Sequence, residues 1–139
     1  MNVKQIMTDN PACCTRSTKL TDVARMLVEN DCGAIPVVDD MDRRNPVGVI
    51  TDRDIVCRAI AQGKDPARTT AGECMSTELV CVTVETDVDE AARQMTEHQV
   101  RRVLVTDKDR HLCGIVAQAD VARKAGKNET AKVVQGVSA

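Results

Sequence analysis

Much of this chain is written twice. The stretch "MTDNPACCTRSTKLTDVARMLVENDCGAIPVVDD", from Met7, aligns with "MSTELVCVTVETDVDEAARQMTEHQVRRVLVTDK", from Met75. Met7/Met75, Cys13/Cys81, Thr15/Thr83, Thr18/Thr86, Ala24/Ala92, Arg25/Arg93, Val37/Val105 and Asp39/Asp107 are identical. The first copy then carries a longer loop, "DMDRRNP", after which "GVITDRDIV" meets "GIVAQADVA", with Gly48/Gly114 and Asp54/Asp120 matched. A tandem repeat of this size is two copies of one supersecondary unit, each too small to bury its apolar face well alone. The repeat divides the chain into a first motif at 1–66 and a second at 67–139, the latter ending in a polar tail after Lys124 that is read as one more helix or as frayed chain.

Each copy reads strand, helix, strand, strand, helix, an α+β (mixed α/β) pattern. The first strands are short, near Ala12–Thr15 and Val80–Val84. Leu20, Val23, Ala24 and Leu27 recur at helical spacing, as do Val88, Ala91, Ala92 and Met95. Thr86-x-x-Asp89 predicts a capping box for the second of these helices, with Thr18 as the equivalent cap in the first. "AIPVVD" and "RVLVTD" are β-rich, and "VGVI" and "CGIV" give the next strands. Final helices are expected near Asp52–Ala61 and Gln118–Lys124. The segment "QGKDPARTTAGE", 62–73, reads as the linker between copies.

There is no Phe, Tyr or Trp, so the core must be aliphatic and no aromatic ring can stack on a base. The formal net charge is -2, which argues against nucleic-acid and membrane partners. No apolar run is long enough to span a bilayer, and Met1-Asn2-Val3-Lys4 does not open a signal peptide. The seven cysteines are odd in number and lack a C-x-x-C, which suggests reduced thiols in a cytoplasm, most of them acting as small apolar residues. Alternation along Cys13-Cys14 should send one side chain inward and the other toward a cleft or solvent. His98 and His111 have no ligand-like spacing, so no metal site is expected.

"GAIPVVD" with "GVITDRDIV", and "QVRRVLVTD" with "GIVAQADV", resemble a pair of CBS motifs, the cystathionine β-synthase domain repeat (Bateman module). The resemblance covers roughly 3–125. It extends to the stand-alone CBS-pair proteins of bacteria and archaea, which include the hypoxic response proteins. It implies two motifs packed about a pseudo-twofold axis, two clefts between them for adenosine-containing ligands, and a homodimer of pairs.

Thr51-x-x-Asp54 carries two readings. Its spacing is that of a capping box at a helix start. The same groups suit a nucleotide: first-turn N–H groups and a hydroxyl for phosphate, a carboxylate for the ribose hydroxyls. The resemblance favours the second role, with Thr51 on phosphate and Asp54 on ribose. It also implies a first cleft completed by Val49, Arg53 at the rim, and Val80, Val103 and Leu104 as the adenine wall. Arg101 and Arg102 match positions from which basic residues reach phosphate, although solvated strand-entry arginines would look the same. The second cleft would comprise Ala12, Ala34, Ile35, Pro36, Ile115, Ala117 and Asp120. There Ala117 replaces the hydroxyl, and Gly33-Ala34 replace the arginine pair. That cleft is expected to bind weakly.

Nothing in the sequence resembles a nucleophile–base pair or a metal-water site. The expected function is a non-catalytic, adenine-nucleotide-binding sensory module, with AMP, ADP or ATP ranked ahead of NAD-type ligands and S-adenosylmethionine, no catalytic cofactor, and a protein partner that the sequence does not name. A redox-responsive or structural interaction protein with degenerate clefts is the alternative. A phosphohydrolase using the acidic turn "TDRD" is the remaining rival.

Overall fold

A computed structural model describes residues 1–124; the tail after Lys124 lies outside the described residues. In chain order, a single 3₁₀ turn at Val3–Gln5 precedes β1 (Thr8–Asp9), β2 (Cys14–Thr15), α1 (Leu20–Glu29), β3 (Ala34–Val38) and β4 (Pro46–Thr51). Then come α2 (Asp52–Ile55), a π-helical turn (Val56–Ile60), α3 (Ala71–Cys74), β5 (Cys81–Thr83), α4 (Val88–His98), β6 (Arg102–Thr106), β7 (Leu112–Ala117) and α5 (Gln118–Lys124). The described chain forms two compact units, one from Ala12–Leu79 and the other from Met1–Pro11 with the described residues from Val80 on.

The Ala12–Leu79 unit holds the sheet β2-β3-β4, with β2 parallel and β4 antiparallel to β3. Its core is Leu20, Val23 and Leu27 from α1, with Ile35, Val37, Ile50, Ile55, Ala59, Ala71, Cys14 and Cys74. The other unit repeats the plan as β5-β6-β7. Val88, Ala91, Ala92 and Met95 of α4 pack there with Val82, Val103, Val105, Val116 and Val121. The predicted helical and alternating patterns both appear, because burying one stripe of a helix and one face of a strand is the cheapest way to remove aliphatic surface from water.

The contacts cut the chain differently from the sequence repeat at 66/67. Thr8 and Asp9 of β1 pair with Ile115 and Gly114, adding an edge to the second copy's sheet. Symmetrically, Ser76 exchanges both backbone hydrogen bonds with Val49 at 3.0 and 2.9 Å. Each opening segment thus lies on the sheet of the other repeat. Glycine makes room for it. A Cβ on Gly48 would stand 2.6 Å from Met75 Sδ and 2.9 Å from the Ser76 carbonyl, and one on Gly114 would meet Met7 and stand 2.9 Å from the Thr8 carbonyl.

Four local expectations are corrected. Thr18 and Thr86 do not cap helices: their hydroxyls accept the N–H groups of Thr15 and Thr83, each at 3.1 Å, closing the preceding turn. The cap of α4 is Asp87, which accepts the Asp89 N–H at 2.8 Å, while Lys19 at the head of α1 supplies no side-chain cap. Cys13 and Cys14 are both buried, because β2 begins only at Cys14 and strand alternation does not reach Cys13. The expected 62–73 linker ends in structure, since Thr70-x-x-Glu73 is a capping box for α3 and Ala71 is buried. The helix after Thr51 is not uniform: Ala61 N–H reaches back five residues to Val56, making the π turn.

Candidate functional site

The turn from β4 into α2 is built locally. Burial alternates along β4, so Gly48 and Ile50 point inward while Val49 and Thr51 share the opposite, half-exposed face. Thr51 Oγ1 accepts the Asp54 N–H, and Asp54 Oδ2 accepts the Thr51 N–H, both at 3.0 Å. The capping box is therefore real. Asp54 Oδ1 has Arg58 Nε at 3.8 Å, too far for a hydrogen bond. Arg58 instead donates through Nη1 to the carbonyls of Cys74 at 3.2 Å and Met75 at 3.0 Å. Arg53 is exposed.

The second copy keeps half of this device. Asp120 Oδ2 accepts the Ala117 N–H at 2.8 Å, but Ala117 has no hydroxyl to return the bond. Asp120 Oδ1 takes Arg123 Nη2 at 2.7 Å, within charge-assisted hydrogen-bond distance. Sequence reasoning missed both Arg58 and Arg123; a base three or four residues after an acid on a helix was the available signal.

The expected wall residues divide by alternation. Ile35 and Val103 belong to the cores of their units, so their side chains are spent on packing. Ala34, Pro36 and Leu104 are buried outside those clusters, on the other faces of their strands. Ala12, Val80 and Ile115 are half-buried. Within its own unit, Ala34 stands directly opposite Thr51 and Pro36 opposite Val49. In the other, Arg102 stands opposite Ala117 and Leu104 opposite Ile115, and the Arg101 carbonyl accepts the Gln118 N–H at 2.8 Å. Arg101 is exposed and Arg102 half-buried; neither makes an ion pair among the described residues. Each arginine thus sits at the entrance to β6, beside the helix start that has lost its hydroxyl.

Two other features bear on chemistry. Asp107, Asp109 and His111 gather ligand atoms within 4.8 Å of one another. Asp107 Oδ1 already accepts the Asp109 and His111 N–H groups, each at 2.9 Å, so the cluster closes the β6–β7 turn, and these bonds hold the Asp107 carboxyl below the usual carboxylate range. Its repeat partner Asp39 closes the β3–β4 turn the same way, on Asp40 and Asn45. A groove of about 660 Å³ lies on α1 and α2, lined by Ala24, Leu27, Val28, Cys32, Ile55 and Val56 among others; Thr51 and Asp54 are not part of it. His98 and His111 are both exposed. No helix among the described residues is long and apolar enough to cross a membrane.

The family model for the CBS domain matches twice, at 3–59 and 71–127. Hypoxic response protein 1 of Mycobacterium tuberculosis is 37% identical over 134 residues, covering 96% of this chain and 92% of its own. A solved structure of Hypoxic Response Protein I, with two coordinated zinc ions, superposes with a TM-score of 0.78 at 38% identity, over 89% of this chain and 98% of that one. The CBS domain pair of protein MJ0100, in complex with 5-methylthioadenosine and S-adenosyl-L-methionine, gives 0.78 at 28% identity, over 88% and 94% of the two chains. CBSX2 in complex with AMP gives 0.74 at 29% identity, over 89% and 95%.

Proposed function

The chain belongs to the CBS domain family, and from that premise we propose that it is a regulatory module that binds an adenine nucleotide and performs no catalysis on it. The observation that carries this reading is the Thr51–Asp54 turn. It supplies a hydroxyl and a carboxylate oxygen that no cation among the described residues holds at hydrogen-bond distance, at the head of a helix. Asp54 accepts from the ribose hydroxyls, and Thr51 donates to a phosphate oxygen. Val49 and Leu104 are the proposed apolar contacts, and Arg101 and Arg102 add charge for phosphate. AMP bound to CBSX2, and S-adenosyl-L-methionine with methylthioadenosine bound to the MJ0100 pair, support an adenosine-type ligand.

Binding acts by selection. A ligand that prefers one arrangement of the protein raises its population by its differential affinity, and a partner protein reads the change. A homodimer of pairs is part of the proposal, supported by the exposed apolar side chains of Val28, Val56 and Ile60. Light scattering should then give twice the 15.1 kDa of one chain.

The testing experiment is thermal. AMP at about 100 times Kd adds about 2.7 kcal/mol, which for a chain of this length raises Tm by roughly 5–10 °C. Adenosine should raise it much less. Calorimetry or an extrinsic dye is needed, because the chain has no Trp or Tyr. R101A with R102A should erase the difference between AMP and adenosine while leaving the ligand-free Tm in place. A full AMP shift in that double variant makes the arginines ordinary surface charge.

A further inference from the structure

We propose that the residue three places after the helix-start carboxylate, Cys57 in one copy and Arg123 in the other, decides which copy can offer that carboxylate to a ribose. This rests on the nucleotide-binding function above. The two carboxylates are held alike by their Oδ2 atoms, each accepting the N–H of the residue three before it. They differ at Oδ1. In the second copy Arg123 Nη2 sits on that oxygen at 2.7 Å, and Asp120 is only 8% exposed. In the first copy the same helical position is Cys57, which brings no cation. The nearest ion-pair partner of Asp54 is Arg58 at 3.8 Å, and its guanidinium is engaged with the Cys74 and Met75 carbonyls.

A ribose diol donates two hydroxyl hydrogens and needs carboxylate lone pairs to receive them. At Asp54 it finds Oδ1 without a hydrogen-bonded cation among the described residues, Arg58 Nε standing 3.8 Å away. At Asp120 it must first displace Arg123 and forfeit a charge-assisted bond. Arg123 is thus a self-blocking contact built into α5. It acts independently of the missing hydroxyl at Ala117, because it competes for the other end of the ligand.

Adenosine is the decisive probe. It carries the ribose without a phosphate that Arg123 could attract. In a D54A background, which leaves the second copy to bind, adding R123A should tighten adenosine binding about three- to fivefold, the range expected for an ion pair whose arginine is largely exposed. In a D120A background, adding C57R should weaken adenosine by a similar factor. Both positions are exposed, so each variant should still fold, with R123A lowering Tm only by the small contribution of its ion pair. Calorimetric titration reads all four proteins. Unchanged affinity from C57R, in a wild-type protein that binds adenosine or AMP, overturns the inference and leaves the function standing. Weaker binding on R123A makes Arg123 a ligand contact and overturns it too. A wild-type protein that binds neither ligand overturns the function, and this inference with it.

Discussion

The first and second copies put the same backbone to different use. In both, the strand before the last helix is six residues long and buries alternate positions, and an aspartate three residues beyond its end ties back to the strand's final N–H. The aspartate is therefore a scaffold element wherever it occurs, and its presence alone says little about a ligand. The informative positions are the ones that vary around it: Thr51 against Ala117, and Ala34 against Arg102 across the ladder. The copy with the hydroxyl has a small residue opposite, and the copy with the arginine lacks the hydroxyl.

The parallel pairs of the two sheets differ for a simpler reason. Leu104 N–H donates to the Val80 carbonyl at 2.9 Å, and β5 runs for three residues. The repeat partners are Ala12 and Pro36. Proline has no N–H to give, so this rung is missing and β2 is two residues long. The β3–β4 ladder tolerates Pro36 because its opposite residue, Val49, directs its own N–H and carbonyl to Ser76 instead.

The largest effects should come from the feature the copies share. G48V and G114V would each push side-chain carbon into the exchanged segment and its carbonyl, costing about 3 kcal/mol or more on chemical denaturation. A well-tolerated change at one glycine but not the other would break the equivalence of the two edges.

Ligand binding should split the copies next. D54A should lose most affinity for AMP, at least tenfold, while D120A should lose much less. Equal losses by calorimetric titration would remove the asymmetry drawn from Ala117.

Alkaline pH offers a third contrast. Burial, with the neighbouring Cys13, pushes the Cys14 thiol up to about 12. The folded value lies above the unfolded one, so the stability it contributes is fully present below about pH 9 and is lost as pH rises toward 12. The second copy has Val82 at this place. C14V should flatten the decline in stability above pH 9, followed by circular dichroism in denaturant. A decline as steep as wild type would move the cause to another group.

The smallest effects concern the cap. T51A should cost about 1 kcal/mol, and A117T, which can complete the second box, should recover several tenths. A destabilising A117T would mean that Arg102, opposite Ala117, leaves no room for the hydroxyl.

Short-range features were legible from the sequence. Residues within four places of one another fixed α1 and α4 by their apolar stripes, the Thr51–Asp54 box by its spacing, and the strands by alternation. Such features depend on neighbours along the chain, and helical period and capping geometry are the same in any fold. Even there, competition between nearby partners escaped notice: Thr18 and Thr86 had a turn N–H as close as the helix they were expected to cap. Tertiary structure alone decided that β1 joins β7 and that Ser76 joins β4. Those pairings close long loops, and they form where a sheet edge is unpaired and a glycine leaves space for the incoming backbone. It also chose between Arg58 and Arg123. Both lie within one turn of their aspartate, but the carbonyls of Cys74 and Met75 draw Arg58 away, and that segment reaches it only through the folded chain.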